Sequence, residues 1–503
     1  DYLTRFAGLY GDGGFKRLMN KGFYAANHTF SYMPTTTAPG HASIYTGTTP
    51  AIHGIVGNSW YDPVSKEKMY CVEDRSVRSL GIDKESGQMS PENLKTTTLT
   101  DELKLFWNND SRVIGVSLKD RGSVLPAGHL ADGAYWYDDK KFISSSFYAE
   151  ELPQWVTDFN NLSLVDTFLA KGWEPMLDKV AYAASLPDNN SYESLFEGEK
   201  YPVLPKDLVY LAEKNGADNV LKRSPWGNSL VFEFGRQALI SEEMGQDEIT
   251  DFLALSLSTT DYMGHAYGPR ALEVQDMYLR LDNDLSRFIS FLDDYVGKGN
   301  YTIMLTADHG AADVPQFAID NNLPGGYLNE AENYAALQEI VADFDSLGSE
   351  LIEEVDANHI YFNHEELREA KLSAGELAEY LSREIGNMPG IYAAYPTDAV
   401  RLSGHAEFPL RELQRGLHPT LSGDVVFIPV SGWISYGSTG TTHGSPWMYD
   451  RHVPFILFGW GVEEGKIYRE THIRDIAPTL CALMGIPFPS GMTGSVIYEA
   501  LEK

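Results

Sequence analysis

Residues 252–269 read FLALSLSTTDYMGHAYGP: an apolar run, Phe252–Leu257, and then Asp261 and His265 set among Gly264, Gly268 and Pro269. A run of that length bounded by turn residues is a buried strand, and the polar pair lies just past its carboxyl end. Residues 301–310, YTIMLTADHG, repeat the arrangement with Asp308 and His309, and residues 440–447, GTTHGSPW, offer His443 in a third Gly-punctuated stretch. Carboxylate and neutral imidazole are ligands that zinc takes in catalytic sites, and five of them are enough for more than one ion. Each alone has an ordinary explanation, since a strand-end Asp can cap a turn and a His in a Gly-rich loop can be solvated. Drawn from three distant segments, they form the ligand set that a site at the carboxyl edge of a sheet requires.

Further strands follow the same pattern. Arg112–Leu118, RVIGVSL, is a strand ending at Lys119, and Val453–Phe458 is another. Between the runs at 252 and 301, Val274, Leu281, Leu285, Phe288, Ile289 and Leu292 recur at helical spacing, the pattern of a helix packed on the core. Strands alternating with helices predict an α/β fold with a mostly parallel central sheet and helices on both faces. Two regions break the rhythm. Residues 131–226 are rich in Tyr, Trp, Asp and Asn with little periodicity, and residues 325–423 hold helices such as Ala374–Ile385 followed by Pro-containing connections. The expected organisation is a core of residues 1–130, 227–324 and 424–503, with 131–226 and 325–423 as insertions forming a cap over the active edge.

Composition narrows the function classes. A formal charge of -32 over 503 residues argues against nucleic-acid binding through a basic surface. No apolar run reaches the roughly 18 residues needed to span a bilayer. Cys71 and Cys481 allow one bridge or two buried thiols, and the chain opens on Asp1 with no initiator Met and no targeting segment, as a processed or trimmed chain would.

A nucleophile is suggested by residues 29–50, TFSYMPTTTAPGHASIYTGTTP, which read as a strand-to-helix junction. Pro39 is tolerated in a first helical turn, which makes Thr37 a candidate N-cap, although Thr35 and Thr36 can cap equally well. A hydroxyl at the positive end of a helix dipole is one whose alkoxide is stabilised.

Together TTTAPGHASIYTG, GNSWYD, VSLKDRGSVLPAGH, STTDYMGHAYGP, TADHG, GTTHGS and DIAPTLCALMGIPFPSGMTG resemble the alkaline phosphatase superfamily from end to end. The likeness is strongest to the phosphate-irrepressible alkaline phosphatases of bacteria, monomeric periplasmic enzymes with a Thr nucleophile. That resemblance implies an alkaline phosphatase-like fold, Thr37 as nucleophile and a two-zinc site. Asp261, His265 and His443 would hold the first zinc, and Asp308, His309 and Thr37 the second. It also implies that Asn58, Lys119 and Arg121 bind the non-bridging phosphoryl oxygens of small-molecule phosphate monoesters, which are hydrolysed through a phosphothreonine. Two cations over that face favour a monoester dianion over a diester. Sulfatases of the superfamily need Cys or Ser in a C/S-x-P-x-R context, and Thr37-Ala38-Pro39-Gly40-His41 stands here instead. The resemblance places a further Asp ligand at the end of an opening strand, five residues ahead of Asp1; neither Asp1 nor Asp12 matches it. A periplasmic or secreted monomer is the corresponding expectation. A phosphodiesterase of the nucleotide pyrophosphatase type and a non-catalytic phosphoester-binding protein are the alternatives.

Overall fold

In the computed structural model, which describes residues 1–502, the apolar runs are strands. Strand β1 (Phe23–Thr29) leads through a buried loop to helix α1 (Thr37–Thr46), and a hairpin of β2 (Ser59–Asp62) and β3 (Glu67–Tyr70) follows. Next come β4 (Val113–Ser117), α2 (Arg121–Ala127), the hairpin β5 (Gly133–Asp138) and β6 (Lys141–Ser145), and α3 (Trp226–Ser241). Then β7 (Phe252–Ser256) gives way to α4 (Thr259–Tyr267), the long α5 (Leu272–Leu292) and β8 (Thr302–Leu305). A separate unit contains β9 (Ile352–Asp356), β10 (His359–Phe362), α6 (Ala374–Ile385), β11 (Ile391–Pro396) and β12 (Val425–Pro429), after which β13 (His452–Gly459) returns to the core.

Two five-stranded sheets carry the site. In one, β4 runs parallel to both β5 and β7, and β6 pairs antiparallel with β5. All five residues of β4 are buried, which is why VIGVS does not alternate between apolar and polar. In the other, β13 lies between β1 and β8 and is antiparallel to each. The α/β class is as expected, while the pairing is more mixed than the alternation of strands and helices predicts. The reason is visible at the active edge. His452, the first residue of β13, pairs with Thr29, the last of β1, so β13 starts where the chain has just delivered His443 and must run away from that edge.

Strands β7 and β8 each pair with a single neighbour, β4 and β13 respectively. Both line a cleft of about 1620 Å³ that runs from Asp1–Arg5 to Thr37, Lys119, Asp261 and Asp308. Helix α5 packs its buried Val274, Leu281, Leu285 and Ile289 into the core beside α3, as its spacing predicts.

The two irregular regions differ in kind. Tyr135, Trp136 and Tyr137 lie on β5 inside the core sheet, so the start of the region expected as the first insertion is core strand, its aromatics buried at 2–3% exposure. Periodicity fails there because both faces of β5 are covered. The second region folds around its own four-stranded sheet, β9-β10-β12-β11, with its own apolar core of residues such as Val341, Ile360, Leu377 and Leu381; β12 carries that sheet past residue 423. It leans on the loop ahead of α1, where Met33 packs with Leu413, Leu417 and Ile428. Cys71 and Cys481 are two buried free thiols.

Candidate active site

Helix α1 begins at Thr37, with Thr36 in the N-cap position and no side-chain cap bond. Thr37 is therefore the first helical residue rather than the cap, and Pro39 still falls in the first turn, where its missing N–H costs nothing. Every residue of α1 is buried, and its first turn is made of small side chains. Gly40 shows why: a Cβ there would stand 2.3 Å from the carbonyl oxygen of Asp308. The close approach presses α1 onto the end of β8 and brings the Thr37 hydroxyl within 3.5 Å of His309 Nε2.

The other segments interlock at backbone distance. Gly310 donates its N–H to the Asp450 carbonyl, and a Cβ on it would lie 2.1 Å from the Tyr449 carbonyl oxygen. The loop holding His443 is fixed twice, by His443 Nδ1 to the Thr35 carbonyl at 2.8 Å and by Asp450, whose Oδ2 accepts from the N–H groups of Gly444 and Ser445 and from Ser445 Oγ. Asp261 and His265 were expected at a loop; they sit on α4 at i and i+4 and so share one helix face.

These constraints converge on Asp261. Its Oδ1 lies 3.3 Å from His265 Nε2, 3.5 Å from His443 Nε2 and 3.8 Å from His309 Nε2. In each imidazole Nδ1 is held by a backbone carbonyl, that of Thr441 for His265, Gly310 for His309 and Thr35 for His443. Such a bond fixes the Nδ1–H tautomer and leaves the Nε2 lone pair free to bind a metal. The ligand atoms of Asp261, His265 and His443 all lie within 4.8 Å of one another, a spacing that one ion can bridge. Asp308 Oδ2 stands 3.5 Å from His309 Nε2, a second pair beside the first group. The rings of His309 and His443 stack with centroids 3.4 Å apart. The donors present thus fit divalent metal in chemistry and direction.

Electrostatics agree. Burial works to raise the Asp261 carboxyl, but Lys119 and the three imidazoles outweigh it and hold the group well below the usual carboxylate range. Asp308 is lowered too, burial being outweighed by His309 and His41. Burial, reinforced by His309, pushes His443 well below its ordinary value, the direction that favours the neutral ring a metal ligand needs.

Of the three other expected residues, Lys119 touches this group directly. Lys119 Nζ contacts Asp261 Oδ2 at 2.5 Å and lies 4.8 Å from the Tyr262 ring centre. Asn58 Oδ1 accepts the Ala38 N–H at 2.9 Å, which leaves its amide NH2 as the free end beside Thr37. Arg121 opens α2, with its N–H capped by Asp120. Sequence reasoning missed four residues. His41, lowered to about 4 by burial, faces Asp308 at 3.7 Å; it stands one turn after Thr37 in the quoted TAPGHAS, a signal that helical spacing offers. Tyr70, Asp120 and Asp450 act through contacts between distant segments, which no local pattern announces.

A sheet edge carrying these donors beside a helix-borne hydroxyl defines a class, and the comparisons name it. The chain belongs to the type I phosphodiesterase / nucleotide pyrophosphatase family, part of the alkaline phosphatase superfamily, whose family model matches residues 1–453. Over its whole length it is 42% identical to alkaline phosphatase PhoV of Synechococcus elongatus, covering 90% of that protein. It is 41% identical to alkaline phosphatase PafA of Elizabethkingia meningoseptica and 40% identical to a Myroides odoratus protein named calcium-transporting ATPase, again along the whole chain and over 92% of each relative. The crystal structure of PafA superposes with a TM-score of 0.95 at 40% identity, covering 100% of this chain and 96% of the other. Among the described residues no helix is long and apolar enough to cross a membrane.

Proposed function

We propose that this chain is an alkaline phosphatase, a zinc-dependent phosphomonoesterase working through a phosphothreonine at Thr37. The observation that carries the reading is the buried Thr37 hydroxyl, 3.5 Å from a metal-competent imidazole and lining the same cavity as Lys119. Whole-length likeness to alkaline phosphatases PhoV and PafA supports it. Zinc held by Asp261, His265 and His443, and by Asp308, His309 and Thr37, would supply the charge that acidifies the hydroxyl and stabilises the departing oxygen. Thr37 Oγ attacks phosphorus as the bond to the leaving alcohol breaks. Water then cleaves the phosphothreonine, freeing inorganic phosphate and restoring Thr37, with net retention at phosphorus. Asn58, Lys119 and Arg121 grip the three non-bridging oxygens, on which the charge of a monoester dianion resides.

One finer point belongs to the same reading. A monomer exported to the periplasm or medium suits the secreted phosphatases it resembles.

The family's name favours phosphodiester hydrolysis as the second reading. Assays with an aryl phosphate and the matching aryl phosphate diester separate the two. The proposal expects kcat/KM for the monoester to exceed that for the diester by about a hundredfold or more, as two cations facing a dianion should give. Equal or reversed values contradict it.

A further inference from the structure

The guanidinium of Arg121 is held by a side chain that lies outside the catalytic group. Arg121 Nη1 donates to Tyr70 Oη at 2.8 Å, and the Tyr70 hydroxyl donates in turn to Asp120 Oδ1 at 2.5 Å. The same Asp120 oxygen accepts the Arg121 backbone N–H at 2.6 Å, so Asp120 fixes the arginine at its main chain directly and at its fork through Tyr70. Arg121 Nε is buried without a partner, and Nη2 makes no hydrogen bond among the described residues. One donor of the fork is tied down and the other stays open. Arginine carries about 2 kcal/mol of rotamer entropy, so a fixed fork meets its anion at lower cost.

Tyr70 is the last residue of β3, and its register partner is Ser59, the first of β2. Immediately beyond that pair the hairpin is closed by Cys71 N–H donating to the Asn58 carbonyl at 3.1 Å. Asn93 Nδ2 braces the base, donating to the carbonyls of Tyr70 and Cys71. The base of one short hairpin therefore fixes the backbone of Asn58 on one strand and, through the Tyr70 phenol on the other, the side chain of Arg121.

We propose that Tyr70 is a positioning residue for phosphoryl binding: it holds Arg121 by its hydroxyl, and the β2–β3 hairpin sets the spacing of Asn58 and Arg121 around the phosphoryl oxygens. The inference rests on the phosphomonoesterase reading. Tyr70→Phe keeps the ring and removes only the oxygen.

The test is a double-mutant cycle of Tyr70→Phe and Arg121→Ala in the metal-loaded enzyme, read with an aryl phosphate and its diester. Tyr70→Phe is expected to lower monoester kcat/KM about tenfold, the scale of one hydrogen bond to a charged group, and to change diester turnover less than about twofold. Introduced into Arg121→Ala it should have no further effect on the monoester. A tenfold loss in both backgrounds, or equal losses on both esters, overturns the proposal by showing a general structural role. If Tyr70→Phe does not fold, Asp120→Asn, which leaves the phenol but weakens its acceptor, enters the same cycle with the same readouts. If the unaltered enzyme turns over neither ester, the functional reading has failed, and inorganic phosphate affinity measured across the cycle decides on Tyr70 alone: coupled losses support the role and additive losses overturn it.

Discussion

Thr37 carries the chemistry of this account, and its neighbourhood makes a sharp demand on one substitution. Thr37→Ala deletes the proposed attacking oxygen but leaves the other proposed ligands Asp261, His265, His443, Asp308 and His309 untouched. Monoester turnover should fall about a thousandfold or more, with bound metal retained in elemental analysis. Near-normal turnover in the metal-loaded variant would count against the nucleophile assignment. The residues legible in the sequence were those whose type and punctuation spoke together: Asp and His at strand ends among glycines. Asn58, Lys119 and Arg121 were readable through family likeness, since a Lys and an Arg after a strand are otherwise ordinary surface residues. Tyr70, in EKMYC, was invisible because its role depends on Asp120 and Arg121 fifty residues away.

At the level of elements, the strands were legible because a buried strand needs an apolar run whatever its neighbours. Their direction was not, because a run such as VPFILF reads the same in either sense; what turns β13 around is the position at which the long 325–451 excursion ends. Asp261 and His265, set among Gly264, Gly268 and Pro269, were expected at a loop, yet Gly264 is carried inside helix α4. Glycine has a different task in α1, where Gly40 lets the helix touch β8. Gly40→Ala forces a Cβ against the Asp308 carbonyl, and neither backbone can yield without separating Thr37 from His309. The expected result is a destabilisation of about 1–3 kcal/mol by chemical denaturation and at least a tenfold loss of turnover in the protein that remains folded. Unchanged activity would mean that the α1–β8 contact does not set the site.

On the scale of the whole molecule, two sheets meet at one edge, where candidate metal donors from β7–α4, β8 and the loop before β13 come together. Asp261 and His265 on α4 and His443 on the loop before β13 come from segments far apart in the chain, and their ligand atoms lie within 4.8 Å of one another. Metal that binds only the folded chain should therefore act as a staple: adding zinc to chelator-treated protein should raise Tm in a concentration-dependent way, by mass action. A Tm indifferent to zinc and chelator would show that the donors are not a metal site. This long-range assembly was half legible, since the sequence offered the donor residues and the segments that bear them. The unit around residues 325–423 was expected as an insertion with helices such as Ala374–Ile385, but the four strands of its own sheet were not legible.

The most direct examination of the central claim is an anomalous-scattering map from zinc-loaded crystals, collected on both sides of the zinc absorption edge. The account predicts two peaks beside Thr37 Oγ1, one bonded to Asp261, His265 and His443 and the other to Asp308 and His309. A single peak remote from Thr37, or none within reach of these side chains, would contradict it.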